Sequence, residues 1–149
     1  MRTRAPGQTD RGSALLLFPA GLLIVLVLAA IAFDLSWAFQ HKRQLVELAD
    51  AAANDAVSYG LDEARLRRDG SYCLAADRVE RSVRATLNAS GASVTLQSVQ
   101  LLTSAGAACP SAVAITIAAT TPQPFSAAVP GLGTAIDQHA TGRATAVVR

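Results

Sequence analysis

The chain has 149 residues and a formal charge of +2; apolar residues make up 51% of it but aromatics only 5%, with alanine filling much of the difference. A charge so small and so evenly spread excludes an electrostatic nucleic-acid surface. A core built on alanine buries little area per residue, so the composition implies one small domain that is marginal by itself.

Residues 1–13 read as a flexible cytoplasmic leader, with Arg2, Arg4 and Arg11 set against Asp10. Positive charge ahead of an apolar segment stays in the cytoplasm, which puts the amino end inside and the tail outside. Residues 14–33 (ALLLFPAGLLIVLVLAAIAF) carry no charge. At about 1.5 Å per residue they reach about 30 Å as a helix, the hydrocarbon thickness of a bilayer. A soluble core helix keeps a polar face, whereas here every face is apolar, and a transmembrane helix is expected. Pro19 and Gly21 mark a kink or a packing surface within it. Ala30-Ile31-Ala32 offers the small residues of a cleavable export signal. The apolar run is nevertheless longer than the roughly 7 to 15 residues of such a core, and a retained anchor is expected.

Beyond Phe33 the helix continues. Trp37 and Phe39 fall where an aromatic belt would sit, and neither Gly nor Pro appears before Gly60. Leu45, Leu48, Ala52, Ala56 and Tyr59 recur at spacings of three and four, an apolar stripe on an extracytoplasmic helix extension over residues 34–66. Ala49, Ala52, Ala53 and Ala56 would let another helix approach closely, or serve only as good helix formers. Asp34, at the outer end of the span, either hydrates at the interface or pairs with a cation on a partner helix.

Residues 67–149 read as a small exported α+β domain. Arg67 to Tyr72 is a turn, and Ala75 to Ala89 a second, short helix with Val79, Val83 and Leu87 as its buried line. Arg78, Arg81 and Arg84, interrupted by Asp77 and Glu80, form a solvated face. From Ala92 the period becomes that of a strand: Val94 and Leu96, then Val99 and Leu101, with a slip at Gln97 and Ser98 that predicts a bulge. Val113, Ile115, Ile117 and Ala119 make the clearest strand, joined to the first as a hairpin through a loop of small residues over 103–112. Pro122, Pro124, Pro130 and Gly131 break the chain into an irregular crossing anchored by Phe125. A last strand runs from about Ala135 to Val148, with Ile136, Ala140, Ala144, Ala146 and Val148 inward. The whole is an α+β arrangement: a long amino-terminal transmembrane helix extended outside the membrane, a short helix, and an antiparallel sheet of about three strands.

Cys73 and Cys109 are the only cysteines, and their spacing fits neither a zinc site nor a CxxC pair. In an exported tail they are expected to form a disulfide. No catalytic constellation is present: His41 and His139 are lone histidines, no Gly-x-Ser-x-Gly elbow or phosphate loop occurs, and Gly131-Leu132-Gly133 reads as a turn. The expectation is a protein that is not an enzyme, with no cofactor, metal or small-molecule substrate.

Arg11-Gly12-Ser13 ahead of the span, Phe18 and Pro19 early in it, Asp34 at its end and Leu48-Ala49-Asp50-Ala51-Ala52-Ala53 beyond, in that order, resemble the TadE/TadG-like proteins of tight-adherence (Flp-type) pilus assembly. The resemblance runs from Asp10 to about Gly60. It implies a bacterial membrane protein whose helix packs beside those of other pilus or secretion-system membrane proteins, and a possible processing junction at Gly12 and Ser13. Leu17 stands where pilins and TadE-type pseudopilins place a glutamate, a position that TadG-type members often leave without one. Under this reading Asp34, Leu45, Leu48, Ala49, Ala52, Ala53, Ala56 and Tyr59 carry the helix contact. The other class left open is a solitary membrane-anchored surface binding or regulatory module.

Overall fold

The computed structural model describes residues 11–103, 106–126 and 133–146. The leader over residues 1–10, Pro130, Gly131, Leu132 and Val148 lie outside the described residues, as do residues 104 and 105 of the hairpin loop. Helix α1 spans Arg11–Tyr59, 49 residues, a rod about 74 Å long. Its large apolar side chains from Leu17 to Phe33 are all exposed. Among the described residues it is the one helix long and apolar enough to cross a membrane.

The expected run to Leu66 stops at Tyr59. Gly60 donates its N–H to the Ala56 carbonyl at 2.9 Å, and a Cβ there would collide with that same carbonyl and with the Val79 side chain. Only glycine lets the chain leave the helix this close to its neighbour. The continuation is a separate helix, α2, Glu63–Asp69. Asp62 caps it, its carboxylate accepting from the N–H groups of Ala64 (3.1 Å) and Arg65 (3.2 Å). Gly70, with φ 65°, closes it in the left-handed region. Arg67 to Asp69, expected in a turn, therefore belong to this helix.

Helix α3, Ala76–Ala89, buries Val79, Val83 and Leu87 against α1 as its periodicity requires. Thr86 Oγ1 donates to Asp55 Oδ2 across the two helices at 2.8 Å. The outer face carries the exposed pairs Asp77–Arg81 and Glu80–Arg84, and the Arg81 guanidinium bonded to Asp77 holds that carboxyl below its ordinary range.

Three strands follow, β1 Val94–Leu102, β2 Ala112–Pro122 and β3 Ala135–Thr145, in the antiparallel order β1-β2-β3. The expected bulge is present: Leu96 pairs with Ile117 and Ser98 with Thr116, leaving Gln97 between them. Val113, Ile115 and Ile117 are buried on the inner face. On the outer face Thr116 and Thr141 meet at 3.1 Å, and Thr120 donates to Asp137 at 2.7 Å. Along β3 Ala140 is buried and Ala144 half-buried as expected, but Ile136 stays exposed, and Gln138 and Gly142 share the inward face. Ala146 follows the strand and donates to the Ser111 carbonyl at 2.8 Å. β2 and β3 pack on the second half of α1, while α3 packs beside α1 and borders β1. The architecture is α+β: one sheet laid over two helices, with the first half of α1 projecting clear of it.

Candidate functional site

The alanine stripe is the natural place to begin. Leu45, Ala49, Ala52, Ala53 and Ala56 are buried, the four alanines with no exposed surface at all. Residues this small allow backbones to approach closely, and the closest approach is that of β3. A Cβ on Gly142 would collide with the Ala49 carbonyl and the Asp50 amide. The stripe expected to receive a partner helix is thus occupied by this chain's own α3 and sheet. Leu48 is half-buried at its margin, and Tyr59, at its end, is exposed. Sequence periodicity identifies a buried face but not whose surface buries it, which is why an internal contact read as an external one.

Asp34 has a partner of a different kind from either expected. Its side chain is buried, and its two oxygens accept from consecutive backbone N–H groups of the β2–β3 crossing, Phe125 at 3.2 Å and Ser126 at 2.8 Å. A carboxylate satisfied by two amides needs neither water nor a cation. Beside it the Phe125 ring meets Phe33 edge-on, centroids 5.2 Å apart. Phe33 stacks on Trp37 at 6.3 Å, and Trp37 meets His41 at 4.8 Å. Phe125 is therefore the anchor of the crossing, as its sequence suggests, and Asp34 is the group it is anchored to.

His41 lines a cleft of about 300 Å³ between α1 and the sheet, together with Leu45, Leu48, Val94 and Gln138. Among the described residues that line this cleft are the hydroxyls of Ser93, Thr120 and Thr121 but no carboxylate or thiol. Gln138 donates from Nε2 to the Ala38 carbonyl at 3.0 Å, and its buried Oε1 has no partner. His139 faces outward, exposed, while its carbonyl accepts from Lys42 Nζ. Among the described residues no group of three or more His, Cys, Asp or Glu is placed to hold a metal ion.

At the opposite end of the domain Cys73 and Cys109 are joined by a disulfide, Cα atoms 5.5 Å apart. Leu74 donates to the Pro110 carbonyl at 2.8 Å alongside it, so the segment entering α3 is tied to the β1–β2 loop twice. Gly12 and Ser13 lie within the first turn of α1.

Residues 12–58 match the model of the family described as "Putative Flp pilus-assembly TadE/G-like". Neither the curated proteins nor the solved structures yield a match. The matched stretch is nearly the whole of α1, and it includes Asp34 and the alanine stripe. Along that helix the chain is similar to the TadE/G-like family of Flp pilus-assembly proteins.

Proposed function

We propose that the protein is a non-catalytic, single-pass membrane subunit of a Flp-type pilus or of the apparatus that assembles it, a minor pilin-like or accessory component. The observation that carries this reading is the division of α1 at Asp34. From Leu17 to Phe33 the chain covers no large apolar side chain, whereas beyond Leu45 the inner face is used up by the chain's own domain. An apolar cylinder of this length is not stable in water, and a bilayer matches it. Residues 1–13 then form the cytoplasmic leader, 14–33 the span, 34–59 a stem shared with the exported domain, and the remainder the rest of that domain. A disulfide at Cys73 and Cys109 fits an oxidising, extracytoplasmic compartment.

Since the alanine stripe is occupied internally, contacts with other pilus subunits fall on the uncovered half of the helix. Association in lipid needs close packing rather than mere apolarity. Gly21, where an added Cβ meets nothing of this chain within 4 Å, offers such a surface. Gly21→Ile tests it, with protein level, disulfide closure and surface pili all measured. Loss of pili at normal protein level supports the reading. Normal piliation in a full deletion of the gene overturns it and leaves a solitary membrane-anchored surface module as the account.

A further inference from the structure

Exposed apolar surface does not end where the uncovered half of α1 ends. Phe125 and Ile136, on the crossing and at the start of β3, are exposed large apolar residues that α1 does not contribute. Both lie at the level of Asp34. Phe125 touches Phe33 and its N–H binds the Asp34 carboxylate. Ile136 is two residues ahead of Gln138, whose amide reaches the Ala38 carbonyl. Trp37, one turn beyond Phe33, is itself part-exposed and stacks on it. Two separate elements thus bring aromatic and aliphatic side chains to the one height at which the apolar run closes. A carboxylate at that height ordinarily draws water into the interface. Here the crossing supplies its donors, so this collar tolerates a depth at which water is scarce.

We infer that Phe125, just beyond β2, and Ile136, at the start of β3, make a second membrane contact. Phe125 and Ile136 rest in the boundary between headgroups and acyl chains beside the span, and the domain lies against the lipid surface. The inference builds on the reading of residues 14–33 as a span. Lipid is favoured over a protein partner because the patch is continuous with the apolar surface of Leu17 to Phe33 and carries the aromatic collar found at membrane interfaces. Its consequence is a fixed tilt. Held by the helix and by the crossing, the domain cannot swing about Asp34 as a domain on a plain stalk does.

Trp37 is the only tryptophan, which supplies the test. The full-length chain is reconstituted in vesicles of phosphatidylcholine, or of phosphatidylcholine brominated high on its acyl chains, which quenches a tryptophan in contact with it. Three single-tryptophan proteins are compared: wild type, Trp37→Phe with Phe125→Trp, and Trp37→Phe with Leu102→Trp, exposed at the far end of the sheet. Pulse proteolysis across a urea series checks that each retains the wild-type fold. The expected result is loss of emission in the brominated vesicles from tryptophan at 37 and at 125, and undiminished emission from 102. Undiminished emission at 125 with Trp37 quenched overturns the inference while the span stands, and assigns the patch to a protein partner. Undiminished emission from Trp37 itself overturns the span and the lipid contact together.

Discussion

Gly142→Ala measures how tightly the sheet sits on the long helix. The glycine is not in the left-handed region, so its backbone accepts alanine, and only space opposes the change. With space, restricting the unfolded chain would stabilise the protein by about 0.4–1 kcal/mol. At this position the new Cβ would meet the Ala49 carbonyl and the Asp50 amide, backbone atoms that cannot rotate aside as a side chain does. Overpacking of that kind destabilises by about 1–3 kcal/mol, which outweighs the gain and leaves a net loss on the order of 1–2 kcal/mol. In a domain this small each kcal/mol displaces the melting midpoint by about 4–8 °C. Pulse proteolysis of the full-length protein in detergent across a urea series reads the loss as a lower midpoint. Gly21→Ala, in open space on the uncovered half of the helix, does not lower that midpoint. A Gly142→Ala midpoint at or above wild type would refute the close strand-on-helix contact, and with it the internal role of the alanine stripe.

Replacing both Cys73 and Cys109 by serine opens a loop of sequence separation 36 and removes about 3–4 kcal/mol by chain-entropy arguments; the same proteolysis series measures it, and wild-type protein from intact cells shows no free thiol on denaturing, non-reducing labelling. Asp34→Ala strands the N–H groups of Phe125 and Ser126, a local loss of about 1–3 kcal/mol. It appears as faster cleavage within the crossing, with the global midpoint moving less than for the cysteine pair. Ala53→Leu forces a large side chain into a site with no exposed surface and destabilises by about 1–3 kcal/mol. Immunoblots should therefore find any loss of pili matched by loss of protein, and normal protein level in this variant would mean that the stripe faces outward after all.

Much of the fold is legible in the sequence because the relevant signals are local. The buried line Val79, Val83 and Leu87 follows from a single helical period, and the bulge at Gln97 from a one-residue slip in an alternating pattern. The end of α1 is hard to read from apolar spacing, which carries across Gly60, although Asp62 and Gly70 bracket α2 with the residues a short helix uses to start and stop. Inward Gln138 and Gly142 could not be recognised as core: one is polar, and the other owes its place to a backbone that only tertiary structure brings near. The family resemblance rests on residues of α1, and the matching family covers that helix and no more. What Asp34 binds was hidden for the same reason as Gly142, since its partners Phe125 and Ser126 lie 91 and 92 residues away.

The placement of the disulfide decides how the domain answers a pull. Tension entering through the first half of α1 reaches the sheet by way of Gly142 and the alanines, a contact loaded in shear along its length rather than peeled from one end. If that contact yields and the strands unravel, the bond between Cys73 and Cys109, at a sequence separation of 36, keeps the intervening segment closed. That segment holds α3 and β1, and it would otherwise add about 120 Å of contour. The molecule can therefore lengthen only by its remaining parts, with α3 and β1 still tied off from the force.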